Sequence, residues 1–73
     1  MNYSQAVEYH ATCFNVLEAF MENAGLVDDD SANESSRIML FTIMDIAKEY
    51  HKDPELVRKD VLARYAEMPQ LVL

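Results

Sequence analysis

"SANESSRIMLFTIMDIAKEYHK", residues Ser31 to Lys52, decides the fold, because its middle admits two readings. Ile38 to Met44 is apolar at every position except Thr42, and a run of that length suits a buried strand as well as a buried helix. The flanks resolve the choice. "SANESSR" and "DIAKEYHK" space their residues with a helical period, and breakers are scarce, with one glycine and two prolines in 73 residues. The segment is therefore predicted as a helix over about 32–51. Ser31 and Glu34 supply a Ser-x-x-Glu capping box at its start, and Asp28 to Asp30 complement its dipole.

Toward the N-terminus, a first helix is predicted over about 3–24, capped by Asn2 or Ser4 and closed by Gly25. Three seven-residue columns form a broad apolar face: Tyr3, His10, Leu17 and Ala24; Ala6, Cys13 and Phe20; Val7, Phe14 and Met21. Leu26 and Val27 are expected to tuck under the following turn. Toward the C-terminus, Asp53 is a good N-cap, Pro54 suits the first helical position and Glu55 favours the positive end of the dipole. A third helix is predicted over about 54–68, with Leu56, Val57, Val61, Leu62, Tyr65 and Met68 facing inward. Pro69 stops it, and the tail "QLVL" is apolar. The expected fold is all-α, one domain, a compact three-helix bundle whose last two helices form a hairpin.

So short a chain buries only about 60% of the surface its unfolded form exposes. Such chains are often reinforced by disulfides, a metal or a second subunit. Cys13 is the only cysteine, so no internal disulfide is available. An all-round apolar segment also has too few neighbours in a three-helix bundle. A homodimer or docked complex is therefore expected, with Ile38, Met39, Phe41, Met44, Leu71 and Leu73 at the interface. The methionines add adaptable surface. With no signal-peptide pattern and no apolar run near the ~20 residues of a membrane span, a cytoplasmic protein is expected.

Charge is unevenly split. Residues 1–46 hold one base, Arg37, and eight acids, a balance of −7, whereas residues 47–73 hold five bases and five acids. The net charge of −7 therefore sits on the first two helices and their loop. Such a field repels phosphate backbones and attracts basic protein surfaces. Glu18, Glu22, Asp28, Asp29, Asp30 and Glu34 are the expected electrostatic contacts to a basic partner.

"IAKEYHKDPELVRKDV", Ile46 to Val61, resembles the helix-turn-helix of DeoR-type repressors. Ala47 matches the small residue of the first helix, Asp53-Pro54-Glu55 the start of the second, and Val57-Arg58-Lys59-Asp60 its basic run. The family favours glycine where this chain has His51, an apolar turn residue where it has Lys52, and a wing that is missing here. The resemblance implies DNA binding through Arg58 and Lys59, with Lys48, Lys52 and Arg64 in support. In size, acidity and helicity the chain is also similar to small phage-encoded inhibitors, of the anti-CRISPR and DNA-mimic type. That likeness implies occupation of a nucleic-acid channel or an assembly surface on a host protein, in the host cytoplasm.

Catalytic and metal chemistry find little footing. His10 and Cys13, three apart, offer two of the four ligands a structural zinc needs, and His51 is the only other histidine. They are read instead as a small buried thiol beside a partly buried imidazole. "DDDSANES" fails the spacing of a calcium loop in either frame, since Ala32 or Glu34 falls where an oxygen ligand or glycine is required. No cofactor and no enzymatic activity are expected. The function anticipated is stoichiometric protein binding. The alternatives are a helix-turn-helix regulator and an assembly subunit that docks by apolar surface alone.

Overall fold

The computed structural model describes residues 1–71 and forms three helices: α1 (Tyr3–Asn23), α2 (Asp29–Tyr50) and α3 (Pro54–Glu67). Each begins at a side-chain cap. Asn2 Oδ1 accepts from the Gln5 N–H at 2.8 Å while Gln5 Oε1 accepts from the Asn2 N–H at 2.9 Å, a reciprocal box at the head of α1. Asp53 accepts from the Glu55 N–H at 3.1 Å, with Pro54 first in α3.

α2 starts three residues earlier than the sequence suggested. Asp28, not Ser31, is its cap and accepts from the Ser31 N–H at 2.9 Å. The expected Ser31–Glu34 box does not form, because Ser31 is already helical. Both residues can cap, but a carboxylate also gains from the helix dipole, and Asp29 and Asp30 then fall in the favoured first turn. Hydrogen bonds to Ser31 hold the Asp28 carboxyl below the usual carboxylate range.

Two helices end in left-handed residues. After α1, Gly25 has φ 77°, with Leu26 N–H bonded to the Met21 carbonyl at 2.8 Å and Gly25 N–H to that of Glu22 at 3.1 Å. After α2 the same role falls to His51, at φ 53°, with Lys52 N–H bonded to the Ala47 carbonyl at 2.9 Å.

The core is small. Val7 and Ala11 of α1, Ile43, Ile46 and Ala47 of α2, and Val57 and Val61 of α3 meet at its centre, closed over by Tyr3, Met39, Tyr50, Tyr65 and Met68. Around it, polar ties join distant segments. Tyr3 Oη donates to Asp60 at 2.5 Å, and Arg64 donates to Glu8 at 2.7 Å and to Ser4 at 3.1 Å. Buried Asn15 donates to the Pro69 carbonyl at 3.1 Å, which seats the end of α3 against α1.

Several residues expected inside lie outside. Cys13, Phe20, Leu26, Val27, Leu56 and Leu62 are exposed. The apolar sectors are wider than the stripe that two neighbouring helices can cover, and a body 17 Å in its shortest dimension has no further layer to cover them. The accessible surface is 5216 Å², against about 4,600 Å² for a compact monomer of this mass. The excess is consistent with apolar side chains left without cover.

Candidate protein-binding surface

Between α1 and α2 lies an open groove of about 510 Å³. From α1 it takes Ala6, Tyr9, His10, Cys13, Phe14 and Leu17. From α2 it takes Ile38, Thr42, Asp45, Ile46, Glu49 and Tyr50, with Met1 completing the lining. The sequence leaves this space for a simple reason. Ala6, Cys13 and Thr42 are small where two helices face each other, so neither side fills the gap.

The groove is apolar along its walls and anionic at its edge. Asp45 and Glu49 are exposed, and the lining contains no lysine or arginine. His10 is only 7% exposed, and its Nε2 has no hydrogen-bond partner among the described residues. Burial pushes its imidazole below the ordinary value of 6.5, partly offset by the Met39 carbonyl, so His10 is held neutral. Cys13 is exposed beside it, the reverse of the expected buried thiol and half-open imidazole.

A second apolar surface lies on the outside of α2. Leu40, Phe41 and Met44 are 52%, 61% and 51% exposed, whereas Ile43 between them is sealed at 2%. Of the expected interface residues, Phe41 and Met44 lie here, Ile38 faces the groove, and Leu71 is exposed on the tail. Met39 is half-buried against the core. Leu73 lies outside the described residues.

The six acidic candidates are all exposed but not equally free. Glu18 accepts a hydrogen bond from Tyr65, whose hydroxyl is pushed up to about 12 chiefly by that bond. Asp28 is committed to capping α2, and Glu34 lies 3.8 Å from Arg37. Glu22, Asp29 and Asp30 make no described side-chain hydrogen bond or ion pair. They join the loop and the first turn of α2 into one anionic end.

The cations of the helix-turn-helix candidate are mostly engaged. Arg58 pairs with Glu55 at 2.7 Å, Arg64 bridges to Glu8 on α1, and the Lys52 ammonium sits 5.1 Å from the Tyr3 ring centre. Lys48 and Lys59 are exposed. Among the described residues no cluster of three His, Cys, Asp or Glu side chains is placed to hold a metal ion. No described helix is long and apolar enough to cross a membrane.

Fold and surface together define an all-α three-helix chain with an acidic, open-sided α1–α2 face. No protein-family model matches it, and neither a curated protein nor a solved structure does.

Proposed function

We propose that this chain is a non-catalytic module that binds a basic protein surface stoichiometrically, of the sort that holds nucleic acid, and thereby blocks or modulates that partner. One observation carries the reading. The helices that bear all the net charge are the same two that leave large apolar side chains in water, among them Tyr9, Phe20, Ile38, Phe41 and Met44. Exposed apolar side chains gathered beside charge are a common mark of a docking face. The DNA-regulator alternative draws less support, since Arg58, Lys52 and Arg64 are occupied within the chain and the overall field opposes a phosphate backbone.

In this reading the module is also a homodimer through the outside of α2. Glu34, Phe41 and Lys48 form one seven-residue column, so an antiparallel pair centred on Phe41 sets each Glu34 against the second copy's Lys48. That self-complementarity supports α2 as the seam.

The test is binding measured across salt. The native partner should co-elute with the wild type at low salt, and Asp28, Asp29 and Asp30 changed together to asparagine should weaken that binding. Tight, salt-sensitive binding to duplex DNA that is lost with Arg58→Ala and Lys59→Ala would replace this reading with the regulator. Partner binding that survives both high salt and the aspartate changes would leave apolar docking alone.

A further inference from the structure

We infer that the α1–α2 groove is the seat for a cationic amphipathic helix of the partner. This rests on the protein-binding reading and specifies where and what the module grips. The groove has the right length. Ala6 to Leu17 on one wall and Ile38 to Tyr50 on the other each extend about 18 Å at 1.5 Å per residue, the span of a three-turn helix. Its volume of about 510 Å³ admits a few anchoring side chains spaced at i, i+3, i+4 and i+7, the arrangement by which helices dock in grooves.

Charge selects among possible occupants. Asp45 and Glu49 stand one helical turn apart on the α2 edge, so two carboxylates line that rim in register with basic residues on a docked helix. An acidic helix or the carboxylate of a fatty acid would meet repulsion at the same edge. A second copy of this chain is disfavoured here too, because its α1 carries Glu8, Glu18 and Glu22 and no lysine or arginine. His10, buried and with its imidazole held below the ordinary value, adds no positive charge at neutral pH to oppose a cationic helix. Tyr9 and Phe20, exposed on α1, extend the apolar surface along the helix.

The lone thiol provides a direct readout, since Cys13 is exposed and lines the groove. The probes are synthetic helical peptides of about 14 residues. One has a leucine face edged with lysine, and its counterpart has the same face edged with glutamate. The full chain is titrated with each, and the rate of Cys13 reaction with an aromatic disulfide is followed together with backbone amide shifts. The lysine peptide should slow Cys13 modification at least about tenfold and shift residues 6–17 and 38–50, while the glutamate peptide should do neither. Asp45→Asn with Glu49→Gln, both exposed and so harmless to the fold, should weaken the lysine peptide about tenfold at low salt. Cys13→Trp, which fills the groove, should abolish its binding while the helical circular dichroism is retained.

The inference is overturned if the lysine peptide fails to bind, if both peptides bind alike, or if the shifts fall only on the Asp28–Glu34 end. It is also overturned if the groove takes an apolar amine but excludes the peptide. Failure of the broader reading looks different. A native partner that still binds Cys13→Trp would refute the groove and leave the protein-binding module standing. A wild-type chain that retains no protein partner would refute both.

Discussion

His51 shows how a single residue can hold a turn at a cost. It adopts the left-handed conformation at the end of α2 that Gly25 adopts without strain at the end of α1. His51→Gly is therefore expected to raise stability by about 0.5–1 kcal/mol, net of glycine's greater unfolded-state entropy, as a shift in denaturant midpoint at unchanged slope. His10 makes a second prediction at this scale. Its imidazole titrates below 6.5 in the folded chain, so the unfolded chain binds more protons between the two values. Its contribution to stability is complete above the unfolded value and is lost as pH falls through the folded one. Urea midpoints measured from pH 7.5 to 5 should decline, and His10→Leu should flatten the part of that decline due to this residue. At the alkaline end the sign reverses. Tyr3 is raised to about 12 by burial and by its bond to Asp60, so it holds its proton longer folded than unfolded, and stability falls as pH rises from 10 toward 12. Tyr3→Phe should remove that component and cost about 1 kcal/mol at neutral pH, checked by the same midpoints.

Among the elements, α3 is where sequence and structure part most clearly. Its inner face was expected to include Leu56, Val57, Val61 and Leu62, yet only the two valines are sealed and both leucines stand exposed. Val57→Ala and Val61→Ala should each cost about 2 kcal/mol from two lost methyl groups and the cavity left behind, whereas Leu56→Ser should be nearly neutral. Thermal melts of the three variants separate the observed packing from the expected one. The pattern explains which features were legible. The start at Asp53, the stop at Gly25 and the start at Asn2, one of the two caps the sequence offers there, follow from local chemistry, where one side chain or backbone conformation meets a neighbouring backbone group. Asp28 was misread because two capping residues stood three apart, and the choice between them depends on dipole energetics rather than on spacing. Which apolar residues are buried is not local. It depends on where the neighbouring helices end up, and helical periodicity marks a sector wider than they cover. The groove was hidden for the same reason, since Ala6, Cys13 and Thr42 become a gap only when α1 and α2 are placed side by side. Its usable signal was small residues recurring on facing helices beneath larger apolar ones.

For the whole molecule, the decisive quantity is how much apolar surface a lone copy leaves wet. Leu40, Phe41 and Met44 project from α2 with most of their accessible area in solvent, on a chain whose accessible surface exceeds that of a compact monomer of its mass. The −7 charge opposes association in general but is unevenly placed, and α2 carries both Glu34 and Lys48 on the column through Phe41. The proposed antiparallel pairing would turn that column into two inter-chain ion pairs around a pair of aromatic rings. The effect of substitution then has a definite sign. Phe41→Glu puts two carboxylates at the seam and should convert a dimer to a monomer in light scattering, with helical circular dichroism unchanged because Phe41 makes no part of the core. Glu34→Lys alone should set lysine against lysine and weaken the dimer, and adding Lys48→Glu should restore it by reversing both partners. Recovery in the double variant would be specific to this antiparallel register, since a dimer packed through any other face would respond to neither change. A wild type that stays monomeric at hundreds of micromolar would instead leave the outer face of α2 for a different protein.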